Sequence, residues 1–146
     1  MEVTKENLEV ALNHLKSQWV YYWKKKKENP KWGYIPTLEF QEGDMVYINL
    51  DVNFPHEMCF GHWCYVVKDM EGKLLVIPST SVKDGCPYKY EMDINVTLDG
   101  RKMKSRLNFS ETRVIDKMRI DCRKPKMKAE CSLVFIKYKL KEFIGG

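Results

Sequence analysis

Apolar side chains near the start of the chain recur at helical spacing. These residues are Leu8, Leu12, Leu15, Trp19 and Tyr22 or Trp23. Thr4, which precedes them, is a suitable N-cap. This pattern predicts an amphipathic helix over residues 5–26. The lysine run at 24–27 falls at its end, where cations interact favourably with the helix dipole. The run is either a solvated helix end or a patch that contacts phosphate.

Residues 28–36 contain three prolines or glycines and predict a linker. From Gly43 the apolar period changes to two, which predicts a strand to about residue 50. A long loop at 51–61 precedes strands at 63–68 and 74–77, joined by a turn at 70–72. Pro78 is expected to end the third strand, so that residues 79–81 begin a loop.

Asp99-Gly100 is a strong hairpin signal between predicted strands at 88–98 and 101–109, and residues 114–115 form a further short strand. Pro125 suits the first turn of a helix. Ala129, Leu133, Ile136 and Leu140 then repeat at helical spacing towards the C-terminus, although residues 133–136 are also apolar enough for a strand. We favour the helix. The fold class is therefore α+β, mainly β: a small curled antiparallel sheet or barrel with a helix at each end.

Composition narrows the class of protein. The 146 residues are 44% hydrophobic and 31% charged, which is typical of one globular domain. No apolar run is long enough for a membrane span and the N-terminus is acidic, so we expect a soluble cytoplasmic protein without membrane partners. The net charge of +5 favours an anionic partner. Five cysteines at irregular spacings predict reduced thiols, with Cys59, His62 and Cys64 as an alternative metal-ligand set.

Motifs for covalent hydrolysis and for nucleotide cofactors are absent, and no cofactor is predicted. If the strands around Glu71-Gly72 pair as a hairpin, His62 and Thr80 lie at matched ends and face the same edge of the sheet. A histidine can accept or donate a proton near neutrality, and a hydroxyl can stabilise a phosphoryl oxygen. By chemistry alone, His62 could equally cap a turn or pack on a neighbouring tryptophan. Residues 79–81 could be ordinary turn hydroxyls.

Several blocks of the sequence together resemble the MazF/PemK toxin family. They are GDMVYINLD at 43–51, a loop containing Glu57, GHWCYVV at 61–67, LVIPSTS at 75–81 and RVIDKMRI at 113–120. The family shows a GD-x-V strand, a loop glutamate before G-x-R-P or G-K-H-P, an apolar strand ending in P-x-T-S, and an R-x-I-D-K-x-R segment. The matches cover about residues 40–82 and 110–121, with a fitting C-terminal helix after them.

This resemblance implies a small SH3-like barrel at residues 39–146, preceded at 1–38 by an added N-terminal helix and linker. It further implies a homodimer that cuts single-stranded RNA, including mRNA, without metal and leaves a cyclic phosphate, while an antitoxin protein blocks the site.

The resemblance also assigns residues to roles. Thr80 falls on the family's catalytic threonine, and His62 falls where many members carry a catalytic arginine and others a histidine. The implied substrate-binding residues are Glu57, Ser79, Ser81, Ser110 and Arg113. Trp63 replaces the usual proline, and Ser110 stands where some members place an acidic catalytic residue. A non-catalytic barrel that binds RNA or a protein partner is the alternative.

Overall fold

The computed structural model describes residues 4–82 and 84–145. These residues form two helices, seven strands and two short 3-10 turns. The helices are α1 (Lys5–Glu28) and α2 (Leu133–Ile144). The strands are β1 (Asp44–Asn49), β2 (Gly61–Asp69), β3 (Lys73–Ser81), β4 (Glu91–Leu98), β5 (Arg101–Asn108), β6 (Arg113–Asp116) and β7 (Met127–Ala129), and the 3-10 turns are Phe109–Glu111 and Lys117–Arg119.

The strands close into an antiparallel barrel. Neighbours follow the order β2, β1, β7, β4, β5 and β3, and β3 pairs again with β2, so that six strands complete the ring. β6 pairs with β3 outside this ring. The predicted class, mainly β with a helix at each end, is confirmed.

The apolar side chains form two clusters. One contains the fully buried Met45, Tyr65, Ile77 and Leu107 together with Ile136 of α2. The other contains alternating residues of the same strands and is covered by the segments near residues 38–40 and 115–122. Because successive side chains of a strand point to opposite faces, β1 to β3 bury both faces and have nearly continuous apolar sequences.

Local signals at several element ends match the prediction. The Thr4 side chain accepts a hydrogen bond from the Asn7 amide at 3.1 Å and caps α1. Asp99 and Gly100 both have positive φ, 49° and 77°, as expected for a type I′ hairpin turn. Neither helix of the described chain has the length and hydropathy that a bilayer crossing requires.

Two predicted boundaries are wrong. β3 does not end at Pro78 but continues to Ser81, because the pairing with β2 stops at Pro78 while residues 79–81 pair with β5 on the other edge. The C-terminal helix does not begin near Pro125. Met127 is buried in β7 between β1 and β4, and α2 begins after Ser132, whose hydroxyl accepts from the Phe135 amide at 3.2 Å.

Candidate functional site

The β2–β3 hairpin brings His62 to the end of β3. Cys64 lies opposite Pro78, where the pairing of β2 with β3 ends, and the His62 ring beyond it lies against the backbone oxygen of Ser79, the residue before Thr80. Thr80 in turn pairs with Arg106 of β5, and Arg106 pairs with Asp93 of β4. Directly opposite residues of antiparallel strands point to the same side of the sheet. We call His62, Thr80, Arg106 and Asp93 the polar row.

His62 is held by two backbone carbonyls. Its Nδ1 lies 3.0 Å from the Ser79 oxygen and its Nε2 lies 3.0 Å from the Cys59 oxygen. Carbonyl oxygens only accept, so both contacts are hydrogen bonds at the same time only when both ring nitrogens carry protons. The ring therefore ties the loop before β2 to the end of β3, and it must release one carbonyl to accept a proton from a substrate.

Arg106 is bound through a carboxylate and a carbonyl. Its Nε donates to Asp93 Oδ1 at 2.7 Å, and its Nη2 donates to Asp93 Oδ2 at 3.1 Å and to the Gly85 oxygen at 3.0 Å. These hydrogen bonds from Arg106 hold the pKa of Asp93 below its ordinary value. Nη1 makes no hydrogen bond to any of the residues described.

Sequence reasoning missed Arg106, although a signal for it exists. The Asp99-Gly100 turn sets Leu98 opposite Arg101, and counting back along both strands sets Asp93 opposite Arg106. Opposite charges facing each other across a hairpin stabilise the pair. The register of β5 against β3, which brings Arg106 beside Thr80, depends on the barrel and has no such local signal.

The serines beside Thr80 point elsewhere. Ser79 is buried on the opposite face, where its hydroxyl donates to the Trp63 oxygen at 2.6 Å and accepts from the Ser105 hydroxyl at 2.9 Å. Ser81 is exposed at the end of β3 and pairs with Ser105. Of the hydroxyls at 79–81, only Thr80 belongs to the polar row.

The remaining predicted contacts have other partners. Glu57 is exposed, and its carboxylate lies 3.4 Å from the Phe54 amide in a loop turn. Ser110 donates to Asn108 at 2.6 Å.

Arg113 pairs with the Glu111 carboxylate and donates to the Glu111 carbonyl at 3.1 Å. The other oxygen of that carboxylate accepts from the Met58 amide at 3.1 Å. Arg113 and Glu111 therefore brace the loop before β2. None of the hydrogen bonds of Glu57, Ser110 or Arg113 reaches His62 or Thr80.

The alternative metal site has no suitable geometry. Within residues 4–82 and 84–145, no three histidine, cysteine, aspartate or glutamate side chains converge on a point that could hold an ion. Cys64 is fully buried in the second apolar cluster, where burial raises the pKa of its thiol. Both ring nitrogens of His62 already face carbonyls.

Comparisons with known proteins identify no relative. A scan against protein-family models gives no match for this chain. A search of curated proteins gives no significant match.

Proposed function

We propose that this protein is a metal-independent endoribonuclease of a toxin–antitoxin pair that cleaves single-stranded RNA. The observation that carries the proposal is the polar row, in which Thr80 faces Arg106 across β3 and β5 and the His62 ring contacts the residue before Thr80. In the reaction, the ribose 2′-oxygen attacks phosphorus and the bond from phosphorus to the 5′-oxygen breaks. A base takes the 2′ proton, an acid protonates the 5′-oxygen, and a 2′,3′-cyclic phosphate remains.

Three members of the row have a role in this scheme. His62 exchanges the proton after its ring leaves the Cys59 or the Ser79 carbonyl. The Thr80 hydroxyl donates to a phosphoryl oxygen as negative charge develops. The resemblance places a catalytic arginine in many members where this chain has His62. Arg106 offers a permanent positive charge on the same face, with Nη1 available to phosphate.

The partners in this proposal are single-stranded RNA, a second copy of the chain and an antitoxin protein. The net charge of +5 suits a polyanionic substrate. The dimer and the antitoxin follow from the resemblance to MazF/PemK toxins.

One observation favours a second candidate, a barrel that binds RNA or a protein partner without cleaving RNA. The ionisable members of the row are already satisfied within the protein, since His62 faces two carbonyls and Arg106 is held by Asp93. Such contacts can serve structure alone.

The test is cleavage of a mixture of end-labelled single-stranded RNAs in the presence of a chelator. We expect products ending in a cyclic phosphate, and no cut where the attacking nucleotide lacks its 2′-hydroxyl. Thr80→Ala should lower the rate about 100-fold, as expected for loss of a donor to a developing oxyanion, with little loss of stability. The matched control is Thr97→Ala, another half-buried strand threonine, in β4. Binding of RNA without any cut would favour the second candidate.

A further inference from the structure

A groove of about 870 Å³ separates α1 from the barrel. Ala11 is the one residue of α1 that is buried among those described, and the Gln18 side chain donates to the Met118 oxygen at 2.8 Å. Both residues also line the groove, so the helix contacts the barrel beside it. On the helix side, the groove is lined by residues that include His14 and Gln18. On the barrel side, it is lined by residues of β1, the start of β2 and residues 119–124.

The groove carries more positive than negative charge. Arg119, Arg123 and Lys124 line it, against the single lining carboxylate of Asp121. Asp121 is bound by Arg123, and Asp51 pairs with Arg119. Lys124 makes no ion pair within 4 Å among the described residues, and its charge acts on Asp121 from a longer distance. An anion in the groove would therefore meet three cationic side chains and one carboxylate.

Aromatic rings line the same groove. They belong to Tyr34, Tyr47 and Phe60. The Lys124 ammonium lies 4.5 Å from the centre of the Tyr47 ring, and that ring packs edge-on against Trp63 at 5.3 Å. Sites that bind single-stranded nucleic acid combine cations with aromatic rings, because the cations contact phosphates and the unstacked bases pack on the rings.

We propose that this groove binds a stretch of single-stranded RNA. The identity of the ligand rests on the proposed function. Lys124 contacts a phosphate, and Tyr47 or Tyr34 packs against a base. The volume suits about one or two nucleotides, by comparison with small-ligand pockets. Gly61 lines the groove and directly precedes His62 in β2. Successive residues of a strand point to opposite faces, so the groove is a separate site from the polar row.

Cys122 provides a reporter inside the groove. Its thiol lies 3.6 Å from the Tyr34 hydroxyl. Burial alone would raise the pKa of Cys122, but hydrogen bonds from Tyr34, Leu38 and Thr37 outweigh burial and lower it. A lowered pKa makes this thiol available to an alkylating reagent, and bound RNA should shield it.

The first test measures binding of a fluorescein-labelled, fully 2′-O-methylated RNA, which cannot undergo the cleavage reaction. Lys124→Glu should weaken binding about tenfold and flatten its dependence on salt, because one phosphate contact is lost. The matched control is Lys102→Glu, at an exposed lysine beside the β4–β5 turn, and it should change binding less than about twofold. If circular dichroism shows that both variants are folded and their effects on binding are equal, the proposal that the groove binds RNA is overturned.

The second test alkylates the native protein with iodoacetamide, with and without the same RNA. Cys122 reports the groove, Cys86 reports the loop beside the polar row, and Cys131, at the start of α2, serves as the remote reference. Protection of Cys122 supports the inference. Protection of Cys86 alone overturns it and leaves the nuclease proposal standing. Absence of any RNA binding overturns both. A polyglutamate peptide that protects Cys122 when RNA does not would assign the groove to an acidic protein and also overturn it.

Discussion

The polar row and the groove have similar kinds of side chain but use them differently. In the row, the protein itself supplies partners to His62 and Arg106. In the groove, Lys124 faces a ring and Cys122 faces a hydroxyl, and the region is open between α1 and the barrel. Groups held by hydrogen bonds within the protein fix geometry, whereas groups without a direct partner leave binding energy for a ligand. Under the proposed function, the row supplies positioning and chemistry and the groove supplies affinity.

The largest expected effect separates turnover from affinity. His62→Ala should lower kcat for RNA cleavage about 100-fold or more, because a proton-transfer group is lost. It should also lower the free energy of unfolding by about 2 kcal/mol, because the contacts of the ring with the Cys59 and Ser79 carbonyls are lost.

Lys124→Glu should instead raise KM. Single-turnover cleavage and urea unfolding measure these quantities, and His56→Ala, in the exposed part of the same loop, is the control for His62. A folded His62→Ala protein that cuts RNA at the normal rate would remove the row from catalysis.

The next effect concerns stability. Asp93→Asn should lower the urea midpoint clearly, because the Arg106 side chain is only 11% exposed and would lose its carboxylate. Asp121→Asn should change it little, since its partner Arg123 is 85% exposed and exposed ion pairs contribute little. Equal falls of the urea midpoint in the two variants would show that the buried pair contributes no more stability than the exposed one.

Acid sensitivity gives a smaller effect with a defined sign. Hydrogen bonds from Arg106 lower the pKa of Asp93 in the folded state. The stabilisation is therefore complete above the unfolded-state pKa of about 4 and is lost as pH falls through the lower folded value. Urea unfolding from pH 5 downwards should show a flatter acid decline for Asp93→Asn than for the parent. A decline of the same steepness would count against the Arg106 contact as its cause.

The smallest effect lies in the groove. Alkylation of Cys122 should reach half its maximal rate at lower pH than alkylation of Cys131, because hydrogen bonds lower the pKa of Cys122 while burial raises that of Cys131. At neutral pH the difference should be several-fold. Tyr34→Phe should shift the Cys122 profile towards higher pH and leave Cys131 unchanged. Mass spectrometry of each cysteine peptide against pH measures both, and an unmoved Cys122 profile would reject the Tyr34 contact.

Local signals explain most of the correct predictions. Thr4 caps α1, and Asp99-Gly100 turns the β4–β5 hairpin, because each interaction lies within a few residues of chain. The hairpin of β2 and β3 was predictable for the same reason. The wrong boundaries at Pro78 and Pro125 depend on pairing with strands that are distant in the sequence. β5 pairs with the end of β3, and β1 and β4 pair with β7.

The sequence by itself determined the mainly β class with a helix at each end, because periodicity and turn residues act locally. It also determined the hairpin that brings His62 to the end of β3. Only the tertiary structure decided that Arg106 faces Thr80, that His62 is held by two carbonyls, and that α1 leaves a groove against the barrel. These features depend on barrel closure, which joins strands far apart in the chain, and on the contacts that position α1.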